Sequence, residues 1–137
     1  MTNLHELHLP GNRLTGTLPS IIGSLDIRML RLQSQSISGN AVEYIDKWPN
    51  LEYINILNTD ITGTIPESIV ERKNLTSMFL GSRVTGTIPN RLGELTNLVD
   101  IWLNGLEIAG SIPSDIDKLS KLRKFRSLFL VTFLLFL

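Results

Sequence analysis

The chain contains no cysteine. That excludes a disulfide framework and any thiolate metal site, and it leaves the redox compartment open. Neither sign of charge is in excess, with 13 Lys and Arg against 13 Asp and Glu. Nucleic acid and anionic membrane surfaces both call for a basic excess, so neither is expected as the main partner. Histidine occurs only as His5 and His8, in a spacing that is not His-Glu-x-x-His and with no third ligand evident. The pair therefore reads as a solvated strand edge, and no metal is expected. There is no glycine-rich phosphate loop and no serine nucleophile elbow, so no catalytic residue and no cofactor are assigned. The N-terminus lacks the basic start and apolar stretch of a signal peptide.

What is present in quantity is a repeated phrase. Leu14 to Pro19, Ile61 to Pro66, Val84 to Pro89 and Ile108 to Pro113 spell nearly the same six residues, with a small hydroxyl or alanine, a glycine, and a closing apolar-Pro pair. Pro66, Pro89 and Pro113 are 23 and 24 residues apart, and Pro19 lies 47 before Pro66, two periods with one proline missing. A period of this length marks a stacked array whose function lies on a surface rather than in one pocket.

Aligned on that phrase, five units begin at Leu4, Ile27, Leu51, Leu75 and Leu98, each with apolar residues at positions 1, 4 and 6. Positions 4 and 6 are one strand period apart, so each unit opens with a short strand that buries one face. A glycine follows at position 13 (Gly16, Gly39, Gly63, Gly86, Gly110), suited to a positive-φ bend or to close stacking of backbones. Proline at position 16 has no N–H and belongs outside a paired ladder. About seven buried apolar positions per turn, at roughly 1.5–3 kcal/mol each, must outweigh the ordering entropy of the turn. One unit fails at this and stacked neighbours succeed, which is why the phrase repeats.

The pattern Leu-x-x-Leu-x-Leu-x-x-Asn-x-Leu-Thr-Gly-x-Ile-Pro resembles the plant-type leucine-rich repeat. Similar arrays occur in receptor-kinase and receptor-like-protein ectodomains, in polygalacturonase inhibitors and in algae. The resemblance covers residues 4 to about 122. It implies an α/β fold, a horseshoe-shaped leucine-rich-repeat solenoid with a concave parallel β-sheet and short 3₁₀ or irregular convex segments. Residues 1–122 are read as repeats, and 123–137 as a degenerate sixth repeat with an apolar tail. It also implies a non-enzymatic module that recognises a protein or peptide through its concave face, in extracellular or membrane-anchored signalling. The chain is expected to be a fragment of a longer receptor-like or secreted protein. The alternatives are an ectodomain fragment of a receptor-like kinase and a truncated, non-functional remnant.

Family repeats carry Asn at position 9, and here only Asn12 keeps it; Gln35, Thr59 and Leu106 occupy the slot elsewhere, and the fourth unit is one residue short at Ser82 or Arg83. The weakest turns are therefore expected near 82–84 and 104–107. The second unit has Val42 in the proline slot, with Trp48 expected to fill core and an exposed convex contact as the alternative. A sixth unit starts with Leu122 and Phe125 and is expected to fail at Ser127. The stretch 127–137 spans roughly 16 Å as a helix, about half a bilayer core. It is read as a truncated membrane span, a makeshift cap or out-of-frame translation, and only through it is membrane association possible.

On the concave sheet the position-5 column is expected to run His8, Arg31, Asn55, Phe79, Trp102, beside Tyr53 in the position-3 column. These six are the candidate partner-binding residues: a polar, partly basic half followed by an aromatic cluster, the kind of anchor that interfaces favour. Asp115 and Asp117 are expected to cap a helix in a return segment. Asn74-Leu75-Thr76 is the one glycosylation sequon. Oligomeric state is left undetermined.

Overall fold

The computed structural model describes residues 3–33, 36–81, 83–104 and 107–128. Eleven strands among these residues alternate between two parallel sheets: β1 (Glu6–His8), β2 (Thr15–Thr17), β3 (Met29–Arg31), β4 (Ser36–Gly39), β5 (Tyr53–Asn55), β6 (Asp60–Thr64), β7 (Ser77–Leu80), β8 (Arg83–Thr87), β9 (Asp100–Asn104), β10 (Glu107–Ala109) and β11 (Lys124–Leu128). The odd-numbered strands form a six-stranded sheet in chain order and the even-numbered ones a five-stranded sheet. Short 3₁₀ turns at Ser20–Ser24, Val42–Lys47, Glu67–Glu71, Leu92–Glu94 and Ser114–Lys118 return the chain to the next coil. The core lies between these layers. It is a leucine-rich-repeat solenoid, with the outer side of the six-stranded sheet as its concave face.

The strand register follows the apolar pattern. Leu7, Leu30, Ile54, Met78, Ile101 and Phe125 are successive partners across the large sheet. From the second coil to the fifth this column and the one two residues on are almost wholly buried, from Leu30 and Leu32 to Ile101 and Leu103. A slip of one residue would turn both columns to solvent, so burial locks the register. In the first coil Leu7 and Leu9 are only partly covered.

In three of the four phrases the proline immediately precedes a 3₁₀ turn. Pro19, Pro66 and Pro113 hold extended backbone immediately before the turn, and their carbonyls accept the N–H three residues on (Ile22, Ile69 and Ile116 at 3.0, 3.1 and 3.3 Å). Proline presets that φ and sacrifices no ladder hydrogen bond there. Where Val42 replaces it, the turn starts from a helical Ala41 and runs to six residues. Trp48 follows, fully buried, and its Nε1 donates to the Ile22 carbonyl of the preceding coil at 3.1 Å. It fills core, as expected, and also satisfies a buried acceptor.

The second sheet goes beyond the irregular convex path that the repeat pattern implies. Its register is stepped: Gly63 lies opposite Val84 and Thr64 opposite Thr85, so each coil is displaced by two residues from the aligned phrase. The repeat glycine has a positive φ in every coil, 89° to 133°. At Gly86 a Cβ would also stand 2.6 Å from the Thr64 methyl of the coil before, so both backbone freedom and close approach are required there. Gly81, in the short fourth unit, is pressed against Ile56 and Leu57 backbone in the same way.

Two expectations are corrected. The sixth strand does not fail at Ser127: β11 pairs with β9 along all five residues, Ser127 opposite Leu103. Backbone hydrogen bonds of a preformed edge do not depend on the side chain, and the Ser127 hydroxyl is left covered and unpaired among the described residues. Asp115 does not cap its own turn, which has no side-chain cap; its Oδ2 accepts the Gly93 N–H of the preceding coil at 3.1 Å. The cap crosses between coils because stacking brings the start of one 3₁₀ turn beside the orphan donors of its neighbour.

The position-9 slots are filled unevenly. Asn12 Nδ2 donates to the carbonyls of Leu9 and Pro10 at 3.1 and 3.4 Å. Thr59, buried, donates to Ile56 O at 2.8 Å and accepts from Ile61 N at 3.4 Å, replacing both halves of an amide's work. Gln35, Ser82 and Leu106, with the turns expected to be weakest around the latter two, fall on or beside positions outside the described residues, as does the tail from residue 129. A second set of inter-coil bonds precedes the strands: Asn50 Nδ2 to Asp26 Oδ1 (2.9 Å), Asn97 Nδ2 to Lys73 O (2.8 Å) and Lys121 Nζ to Asn97 Oδ1 (2.7 Å).

Candidate partner-binding face

On the concave side the strands set out two columns. His8, Arg31, Asn55, Phe79, Trp102 and Arg126 are successive partners in one; Glu6, Met29, Tyr53, Ser77, Asp100 and Lys124 in the other. Parallel strands space each column by about 4.8 Å, so rings on neighbouring coils must touch or tilt. They tilt. Tyr53 and Phe79 lie 5.5 Å apart between centroids at 46°, and Phe79 and Trp102 are 5.3 Å apart edge to face at 74°. Both arrangements are favoured by the ring quadrupole over a face-to-face stack. Ser77, the register partner of Tyr53, is small enough to let that ring lean toward Phe79.

The Arg126 guanidinium sits 4.5 Å over the Trp102 ring. This residue was not among the sequence candidates, because the sixth unit was expected to dissolve before contributing a strand. The signal that finds it is its column: Arg126 stands at the same position in its unit as Trp102. The ring quadrupole attracts the cation, and Arg126 remains exposed to solvent.

The polar half is organised differently. Arg31 Nε donates to Gln33 Oε1 at 3.4 Å, and Asn55 Nδ2 donates to the same oxygen at 2.6 Å. Asn55 also donates to the Tyr53 hydroxyl oxygen at 3.2 Å and accepts the Leu57 N–H at 3.1 Å. It is only 5% exposed. The sequence expectation of an open Asn55 is therefore corrected: it is a buried bracket between two coils, with its amide fully used. His8 is exposed at the first coil, with Nε2 3.9 Å from Glu6 Oε2.

Tyr53, Phe79 and Trp102 are half-buried, each with part of the ring open to the concave side. Trp102 Nε1 and Asn104 Oδ1, two residues apart on β9, are covered and without a hydrogen-bond partner among the described residues. Asn74 is exposed in the turn before β7, while the Thr76 hydroxyl donates to Glu52 O at 2.9 Å. Among the described residues no group of His, Asp and Glu is placed to hold a metal ion, and no helix is long and apolar enough to cross a membrane.

Residues 3–25 match the Leucine Rich Repeat family model. Among solved structures, the plant peptide hormone receptor RGFR1 in complex with RGF2 superposes with a TM-score of 0.83 at 31% identity, over 92% of this chain and 20% of that one. The Arabidopsis receptor kinase HAESA, in complex with the peptide hormone IDA and the co-receptor SERK1, gives 0.80 at 25% identity, over 92% of this chain and 22% of that one. The leucine-rich-repeat ectodomain of the receptor kinase SOBIR1 from Arabidopsis thaliana gives 0.77 at 26%, over 88% of this chain and 68% of that one. The fold and these likenesses define a leucine-rich-repeat solenoid, similar to those of the plant receptors. The chain spans about a fifth of the length of the first two of these receptors.

Proposed function

We propose that the chain is a protein- or peptide-recognition module that binds its partner on the concave face, with His8, Arg31, Tyr53, Phe79 and Trp102 in contact and Asn55 beneath them. The observation that carries this reading is the tilted ladder Tyr53–Phe79–Trp102, closed by Arg126. Half-exposed aromatic rings fixed on a rigid sheet present large contact area at little further cost in side-chain entropy. Two of the similar structures, the plant peptide hormone receptor RGFR1 in complex with RGF2 and the receptor kinase HAESA in complex with the peptide hormone IDA, support the same class of partner here.

The module works without catalysis and as part of a longer receptor-like or secreted protein, outside the cell or anchored to it, with Asn74 open to glycosylation. The ectodomain of a receptor kinase is the second reading, favoured by the kinases among the similar structures. The residues 1–122 act as the repeat array in either case.

Selection of a displayed random-peptide library on the purified chain tests this. Binders are expected to lose most of their affinity to a Phe79→Ala/Trp102→Ala double variant and to keep it with a convex-side Ser20→Ala control. Selected peptides that bind the double variant as tightly as the parent would refute a concave site, as would a library that yields no binder at all.

A further inference from the structure

We infer that Asn55 sets the polarity of the concave face: its amide fixes the Tyr53 hydroxyl as a hydrogen-bond donor aimed at the partner. This rests on the concave face being the binding surface. The argument begins with the backbone. Leu57 N–H must meet an acceptor, and Asn55 Oδ1 lies 3.1 Å from it, so the amide oxygen points there and cannot be exchanged with the nitrogen. Nδ2 then carries two hydrogens. One goes to Gln33 Oε1 in the preceding coil at 2.6 Å and the other to the Tyr53 oxygen at 3.2 Å. Gln33 Oε1 also accepts from Arg31 Nε, which orients the Gln33 amide in turn.

A tyrosine oxygen that accepts from Asn55 keeps its own proton for another group. The Asn55 side chain is buried and offers it no acceptor, so the O–H is left for whatever lies on the face. The ring itself is held between this bracket and Phe79. Asn55 is thus a positioning residue. It selects for a partner with an acceptor, such as a peptide carbonyl, over Tyr53 and an apolar group over Phe79 and Trp102. Because the bracket joins β3, β5 and the aromatic ladder, it also ties the polar half of the face to the aromatic half.

Asn55→Asp tests the direction of the bond. The carboxylate still accepts Leu57 N–H, and Gln33 can turn its amide hydrogens toward it by giving up the 3.4 Å bond from Arg31 Nε, so the coil stays closed. It accepts from the Tyr53 hydroxyl rather than donating, which turns that proton inward. Asn55→Ala removes the bracket altogether, and Tyr53→Phe removes the hydroxyl with the bracket intact. The structural readout needs no ligand: ring proton shifts of Tyr53 and Phe79 by NMR, with acrylamide quenching of Trp102 in a Trp48→Phe background. Ring shifts are expected to survive in Asn55→Asp and to collapse toward random-coil values in Asn55→Ala, with quenching of Trp102 increased.

The binding readout uses the peptides selected on the parent chain. Asn55→Asp and Tyr53→Phe should weaken them alike, by about tenfold, the equivalent of one hydrogen bond. Peptides held equally well by Asn55→Asp would overturn the assigned polarity. Unchanged ring shifts in Asn55→Ala would overturn the positioning role even if no peptide is ever selected. If the shifts collapse while selection yields nothing, the bracket stands and the binding reading falls.

Discussion

Replacing Gly86 with alanine separates two costs that one repeat position combines. The backbone there has φ of 107°, which an alanine adopts only under strain of about 1–3 kcal/mol. The new methyl would stand 2.6 Å from Thr64 Cγ2, and forcing that contact apart in a packed stack adds about 1–3 kcal/mol. The sum, roughly 2–6 kcal/mol, is a large part of what holds a domain of this size together. The two contributions can be told apart. Thr64→Ser deletes the offending methyl and keeps the hydroxyl that meets Thr85 Oγ1 at 3.4 Å. In that background Gly86→Ala should retain only the backbone cost, a favourable coupling of at least about 1 kcal/mol in a double-mutant cycle. Gly16→Ala is the complementary control, because φ is 89° there and no atom lies within 4 Å of the added Cβ. Urea unfolding followed by tryptophan fluorescence measures all five proteins, the parent included, provided the slopes agree. Equal losses at Gly16 and Gly86, together with no rescue by Thr64→Ser, would refute the close-approach argument and leave the glycine column a matter of backbone conformation alone.

Trp48→Phe should cost roughly 1–3 kcal/mol, because Ile22 O loses its buried donor, and calorimetric melting that shows no loss would remove that hydrogen bond from the account. Thr59→Val should destabilise by a similar roughly 1–3 kcal/mol while Thr59→Asn stays near the parent, and the reverse order in urea melts would mean that the slot wants bulk rather than bonding. Glu94 is held down to about 2 by hydrogen bonds from Arg91 first and Lys73 second, against an ordinary 4.5. Its pairing is thus complete above pH 4.5 and is lost as pH falls through about 2; carboxyl-carbon NMR should show that midpoint, and Arg91→Ala should raise it, whereas a parent midpoint near 4.5 would contradict the bridged geometry.

The strands of the large sheet, their buried columns and the positive φ of the repeat glycine follow from local chemistry that any one coil displays. Alternation in Leu-x-Leu assigns the buried face of a strand whatever lies beside it, and proline in Ile-Pro excludes a ladder hydrogen bond wherever it stands. Phe79 and Trp102 were legible for the same reason: the residue between two buried apolar neighbours in a strand must face outward, and Tyr53 faces the same way two residues before such a position. What Asn55 does with its amide was not legible, since its partners Gln33 and Leu57 are chosen by stacking and by the bend after the strand.

The same limit applies to the parts that only the tertiary structure decided. The two-residue step of the second sheet sets Gly39, Gly86 and Gly110 against a threonine methyl of the coil before, as at Thr64 and Gly86, a contact between residues 22 apart in the chain. Asp115 reaches Gly93 and not its own turn because stacking, rather than sequence adjacency, brings an orphan donor to it. Strand β11 forms past Ser127 because β9 offers a complete row of backbone partners, which no apolar pattern in the sixth unit encodes. Sequence determined what each coil must bury; the stack decided which polar groups each coil finds next to it, and so which of them remain free for a partner.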